Sequence, residues 1–359
     1  MQAVRQTSPY VRKDVTTNRM MTDVLIALIP VVVFAVFRFG ADALVRVIVS
    51  VVVMVALEAL AFGMIATPDK KAQTFKEKLV SRYKTFSINN ITIPAVSGVI
   101  FAMLVPSQLP IYAVVVGASF GIIVGKMLFG GTGANIFNVA AVGRIFIALA
   151  LTSMFKGAYT GVDLVAGGTA LTSIRTGLAF PEVLNSYALR DLFFGFIPGA
   201  MGEVSFLAIL IGGLYLVIRK SADYRVMLSA VVTFLVLMTV AAFALHPDNV
   251  WTFVLYQLFS GGLLFGVVYM ITDPVTSPIT RPGRIVFGMM VAAITVLIRL
   301  FGAYPEGVAF ALLFSNMFVP LIDFPKWATN RIRPTFILGC VVVMGLLSLV
   351  VFFGAGGTF

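Results

Sequence analysis

The chain has 359 residues, of which 60% are hydrophobic and 11% charged, with a formal net charge of +11. Soluble domains carry roughly 25% charged residues, so this composition excludes a soluble globular protein and points to an integral membrane protein. A single Cys, Cys340, and a single His, His246, exclude an iron–sulfur cluster held by this chain alone, a bis-His haem and an internal disulfide, so any electron transfer requires an organic cofactor.

The first 20 residues carry Arg5, Arg12, Lys13 and Arg19 without an apolar core or a small-residue cleavage site. Residues 1–19 therefore read as a cytoplasmic arm and not as a secretory signal peptide. Apolar segments follow at about 20–38, 41–66, 91–105, 110–128, 137–155, 201–218, 225–246, 251–272, 284–302, 306–322 and 335–354. A crossing helix needs about 20 apolar residues. The uncharged run Thr85 to Gly125, 41 residues long, thus holds two crossings around Pro106-Ser107-Gln108-Leu109-Pro110. The expected count is ten or eleven, since 91–105 and 306–322 are short and bounded by Pro or Gly. The alternation of a transmembrane barrel is absent, and backbone in lipid must satisfy its own hydrogen bonds, so the expected fold class is an all-α membrane protein.

A cytoplasmic N-terminus puts loops 67–90, 126–136, 219–225, 273–284 and 321–334 on the same side, where the arm and loops together hold nineteen Lys and Arg. The other side receives five: Arg38, Lys156, Arg175, Arg190 and Arg299. The bias that retains Lys and Arg inside explains the positive charge and places segment 156–200 outside the cell membrane. Nucleic acid is not the expected partner, because no groove-reading motif accompanies the charge. Loop 67–90, with Lys70, Lys71, Lys76, Lys78, Arg82 and Lys84, reads as a solvated topogenic loop on which acidic lipid headgroups can rest.

Three polar stretches interrupt the apolar runs. Gly130 to Asn138, GGTGANIFN, lacks the Lys-Ser/Thr of a phosphate loop and a preceding soluble strand. It reads as a broken helix at a cavity, with Asn135 and Asn138 three apart on one turn. Such amides suit a planar heterocycle with ring carbonyls and N–H groups, or they serve as helix–helix glue. Gly161 to Ser173, GVDLVAGGTALTS, resembles the flavin-attachment motif D-x-x-[ST]-G-A-T-x-x-T at Asp163, Gly167, Thr169 and Thr172. Ala166 replaces the usual Ser or Thr, and Gly168 the usual Ala; the alternative is a plain small-residue loop. Thr272 to Pro278 follows a long apolar run and holds Asp273. Carboxylates in or beside membrane spans are costly, which makes Glu58, Glu203, Asp273, Glu306 and Asp323 functional candidates. Arg46, twelve residues before Glu58, is too far along the helix to pair with it.

An internal repeat is visible. Ser97-Gly98 recurs as Ser260-Gly261, Met103 with Pro106 and Pro110 as Met270 with Pro274 and Pro278, and Leu128-Phe129-Gly130 as Leu300-Phe301-Gly302. An odd number of crossings separates the copies, so they are expected in opposite orientations, as in transport folds with a site between halves. The expected organisation is an arm 1–19, a first repeat 20–155, a loop 156–200, a second repeat 201–354 and a tail 355–359.

Together these motifs resemble the D subunit of the Rnf electron transport complex, itself similar to the B subunit of the sodium-translocating NADH:quinone reductase. The resemblance runs nearly end to end, through Ser8-Pro9-Tyr10, Asn135 with Phe137-Asn138, the flavin motif, Thr272-Asp273-Pro274 with Ser277-Pro278, and Pro320-Leu321-Ile322-Asp323; Val139 stands where the family usually has Pro. It implies a urea-channel-like fold and a prokaryotic inner-membrane subunit of a redox pump that passes electrons between ferredoxin and NAD while moving Na⁺ or H⁺. It implies FMN on Thr169 through a phosphoester made by a separate flavin transferase, and a non-covalent riboflavin at Asn135 and Asn138. It also ties Asp273 and Asp323 to cation passage, with Glu58 and Glu306 as further ion-pathway candidates. No NAD fingerprint or metal site occurs, so NADH meets another flavin or iron–sulfur subunit. The alternatives are a subunit of the quinone-reductase type and a urea-channel-like solute transporter.

Overall fold

The computed structural model describes residues 16–69, 74–157, 171, 188–197, 199–302, 304 and 306–356. Asp163, Gly167, Thr169 and Thr172, and most of the 1–19 arm and the 156–200 loop, lie outside the described residues. Within them the chain is helical and no strand occurs.

Helix α1, Thr17–Phe39, starts where the Thr16 hydroxyl accepts the Arg19 N–H and stops at Gly40, whose φ of 72° few other residues adopt. Helix α2, Ala41–Ile65, follows at once. A capping box of Thr74 and Glu77 opens the short α3, Phe75–Tyr83. Then come α4, Asn89–Met103, α5, Ile111–Gly125, and a 3₁₀ turn, Met127–Phe129. Asn138 caps α6, Val139–Ala150, and α7 is Thr152–Gly157. The second half has α8, Leu189–Phe194; α9, Phe206–Ile218, capped by Ser205; and α10, Tyr224–Leu245, capped by Asp223. Helix α11, Val250–Phe259, breaks at Ser260-Gly261-Gly262 and resumes as α12, Leu263–Phe265, which runs into a π turn, Gly266–Met270. Helices α13, Arg281–Phe301, α14, Val308–Ile322, and α15, Pro334–Ala355, complete the described chain.

Every apolar segment expected from the sequence is helical in whole or in part, in keeping with the expected all-α, multi-span fold. Among the described residues six helices are long and apolar enough to cross a membrane, and the α11–α12 pair, bent by 56°, makes a seventh if taken as one span. Helices α4, α6, α9 and α14 are only 12 to 15 residues long, less than the hydrocarbon thickness demands. Irregular backbone beside so short a helix is permitted in a membrane interior only where protein covers it. The N–H groups of Met201 and Gly202, for example, donate to the carbonyls of Val105 and Met103 at the end of α4.

The two copies repeat one packing scheme. In the first, α2 packs on α4 and α5, and α5 on α6; in the second, α10 packs on α11 and α13, and α13 on α14. Equivalent helices also meet across the copies, α1 with α9 and α6 with α14. Both of these pairs run antiparallel. Asp23 near the start of α1 is held by Arg219 and Ser221 just past the end of α9. Asn138 at the start of α6 meets Asn316 in the second half of α14, while Arg144 within α6 meets Glu306 just ahead of α14. Opposite orientation of equivalent elements is the geometry of an inverted repeat.

The repeated Ser-Gly pair differs between copies. Gly98 stays inside a continuous helix, where a Cβ would lie 2.8 Å from the Val51 Cα, so its bareness lets α4 cross α2 closely. Gly261 instead has φ 72° and marks the break between α11 and α12. The turn after the pair is also longer in the second copy, 271–280 against 104–110.

Candidate functional site

A cavity of about 340 Å³ opens between the two copies, with Lys126, Thr132, Asn135 and Asn138 from the first and Thr272 and Asp273 from the second in its wall. The glycine-rich stretch that forms one side is a loop. Gly130, Gly131 and Gly133 all take positive φ, between 88° and 107°, so no helical turn runs through them. Asn135 and Asn138 therefore do not share a helical turn, contrary to what their spacing suggests, yet the loop brings both to one cavity.

Each amide already spends one atom on the protein. Asn135 donates its Nδ2 to the Phe137 carbonyl at 3.2 Å, and Asn138 Oδ1 accepts the Ala141 N–H at 3.1 Å as the cap of α6. The Asn135 Oδ1 and Asn138 Nδ2 lie outside those bonds, one acceptor and one donor. The wall is fixed by a chain of bonds across the copies. Asp273 accepts the Val275 N–H and the Thr276 hydroxyl at 3.1 Å each; the Thr276 carbonyl accepts the Asn316 Nδ2 at 2.9 Å; Asn316 Oδ1 accepts the Asn138 N–H at 3.3 Å.

Beside the cavity Glu58 is almost sealed, 2% exposed, and its partner is Lys126, 1% exposed, with Nζ 2.5 Å from Oε2. The Thr132 hydroxyl donates to the other carboxylate oxygen at 3.0 Å. Arg46 is not involved; it donates to the carbonyls of Leu109 and Asp42 at 2.9 Å each. Lys126 thus faces a carboxylate inside the protein and is not a topogenic surface charge, which corrects its place in the loop count.

A second buried group of charges lies one and a half turns along α6, about 9 Å by helical rise. Arg144 pairs with Glu306 at 2.8 Å. Arg299 donates to the carbonyls of Gln257 at 2.6 Å and Ser260 at 3.2 Å, which the break after α11 leaves without helical partners. Glu203 packs on Gly262, whose position a Cβ would overfill. Leu171, two residues after Thr169, is buried with its Cδ1 against Gly261, beside Arg299 and Glu306.

The four ion-pathway candidates thus fall in three places. Glu58 and Asp273 flank the cavity, Glu306 joins the second charge group, and Asp323 accepts the Ile279 N–H at 2.7 Å and the Thr280 hydroxyl at 3.0 Å, fastening the turn before α13. Sequence reasoning missed Lys126, Thr132, Arg144 and Asn316. A signal for the first existed, since Lys126 alone closes a 41-residue uncharged run. Among the described residues no three His, Cys, Asp or Glu gather as a metal site.

The sequence matches the model of the NQR2, RnfD, RnfE family over residues 4–329. The chain belongs to that family. The D subunit of the proton-translocating ferredoxin:NAD(+) oxidoreductase complex of Clostridium ljungdahlii is 31% identical to it over 330 residues, 88% of this chain and 92% of that one. The B subunit of the Na(+)-translocating NADH-quinone reductase of Ectopseudomonas mendocina is 31% identical over 352 residues, 89% of this chain and 87% of that one. The corresponding subunit of Chromohalobacter salexigens is 40% identical over 234 residues, 64% of this chain, and the match spans only 56% of that relative. Family membership agrees with the all-helical, multi-span fold and with the resemblance drawn from the motifs.

Proposed function

We propose that the chain is the flavin-carrying membrane subunit of a multi-subunit ferredoxin:NAD oxidoreductase that couples electron transfer to Na⁺ or H⁺ translocation. The observation that carries this reading is the cavity between inverted repeats, whose wall Asn135 and Asn138 share with Asp273 and Lys126. At about 340 Å³ it has the size of a small-molecule site. Its amide pair fits the ring edge of a non-covalent riboflavin, one bond from each Asn.

The covalent FMN belongs on Thr169, with Asp163, Gly167 and Thr172 completing the motif. Leu171, two positions after Thr169 in the sequence, is buried against Gly261 beside Arg299 and Glu306. Flavins supply one- and two-electron chemistry when bound. The chain's own residues then hold the ring, keep water away and set the local charge. Glu58 and Asp273 line the ion's route at the cavity, Glu306 contributes beyond it, and Asp323 shapes the turn that follows Asp273. The flavin transferase, the other membrane, flavin and iron–sulfur subunits and the surrounding lipid are the partners, and the charge bias puts the N-terminus in the cytoplasm and Thr169 outside.

The 40% identity to a B subunit of the quinone reductase favours that complex as the second reading. The purified complex decides between them: reduction of NAD by ferredoxin supports the first, and reduction of quinone by NADH without ferredoxin activity supports the second. A solute transporter would show neither activity.

A further inference from the structure

Glu58 sits in the second half of α2, where an ionised carboxylate without a counter-charge costs several kcal/mol. Lys126 supplies that charge from the residue after α5, and its position is set by the glycine loop, since the Lys126 carbonyl accepts the N–H groups of Phe129 and Gly131 at 3.2 Å each. The ammonium is also within electrostatic range of Asp273, which comes from the other copy and shares the cavity wall. When all three are ionised, two carboxylates face one ammonium. The group is one positive charge short, and Lys126 and Asp273 line the cavity between the copies.

We propose that Lys126 is a tethered counter-ion that competes with a Na⁺-sized monovalent cation for Glu58 and Asp273. This rests on the ion-translocating reading of the chain and adds the element that keeps its site neutral between transport events. With the cation absent, the ammonium neutralises Glu58. A cation entering from the cavity takes over the carboxylate oxygens, and the ammonium is displaced toward the cavity and Thr132. No bond is made or broken, and the exchange leaves the charge on Glu58 compensated throughout. A purely structural ion pair would not need a neighbouring carboxylate from the opposite repeat, nor a cavity beside it.

The test uses the full chain purified in detergent, with thermal unfolding followed in NaCl against choline chloride at equal ionic strength. Lys126→Gln removes the competitor, and its half-maximal stabilising Na⁺ concentration is expected to fall by about tenfold or more relative to wild type. Asp273→Asn leaves the Lys126–Glu58 pair in place, so it is the variant that folds in any case, and its Na⁺ response is expected to be weaker than that of wild type. The double variant Glu58→Gln/Lys126→Gln, free of charge at the pair, is expected to lose the response. An equal Na⁺ response in wild type, Lys126→Gln and the double variant, or none in any of them, would overturn the proposal. Flavin content is measured on the same samples: a Na⁺ response without flavin keeps this inference and removes the redox one.

Discussion

Asn138, at the start of α6, donates its backbone N–H to the side chain of Asn316, 178 positions later in α14, at 3.3 Å. The same Asn316 side chain donates to the Thr276 carbonyl, so one buried amide joins the glycine loop of the first copy to the Asp273 turn of the second. The two walls of the cavity are therefore a single hydrogen-bonded unit.

Asn316→Leu keeps the volume and removes both bonds. It leaves a buried N–H and a buried carbonyl unpaired, a loss of about 1–3 kcal/mol for each group. The expected result is a lower unfolding temperature in detergent, with riboflavin released at a lower acid strength than from wild type. Unchanged unfolding and unchanged flavin retention would show that the walls are held independently.

Asn135→Ala/Asn138→Ala tests the ring contacts. Since each amide has one atom already engaged, the loss per residue is that of a single hydrogen bond, about 0.5–1.5 kcal/mol, or roughly 2- to 13-fold in affinity. Acid extraction of the purified subunit should release riboflavin from wild type and clearly less from the double variant. Equal release returns the pair to the role of loop and helix caps.

Asp223 caps α10 and pairs with Arg225 and with Arg284 at the start of α13. Burial works to raise its pKa, and the Arg225 backbone N–H with the Arg284 and Arg225 charges outweighs it, leaving the carboxyl below its usual value. A depressed carboxylate contributes stability above its unfolded pKa of about 3.9 and loses it as pH falls through the folded value. Asp223→Ala should cost about 1 kcal/mol at neutral pH through the lost cap, and its difference from wild type should shrink below pH 4. A difference that persists unchanged into acid would contradict the charge assignment.

The elements were legible because lipid demands long apolar runs, and every expected segment became helical in whole or in part. Their lengths were less so: α4, for one, ends where Gly202 donates to the Met103 carbonyl, a contact that depends on a distant part of the chain. The Ser97/Ser260 and Met103/Met270 pairs announced the repeat, but the break at Gly261 and its absence at Gly98 come from what packs against each. Asn135 and Asn138 were found through their chemistry, although the helix assumed for them is prevented by three left-handed glycines. Lys126 with Glu58 and Arg144 with Glu306 stand 68 and 162 residues apart. The first pair forms only when α2 packs on α5 within one copy and the second only when the two copies meet, so no local pattern reveals either.

A covalent flavin at Thr169 is the central claim, and the direct measurement is flavin fluorescence of the denatured subunit in a gel, alongside its intact mass. Only a covalent cofactor survives denaturation. Wild type is expected to fluoresce and to carry the mass of one FMN phosphoester, Thr172→Ala to retain part of the signal, and Thr169→Ala to lose both while still inserting in the membrane. Fluorescence retained in Thr169→Ala, or an unmodified mass for wild type produced together with its flavin transferase, would contradict it.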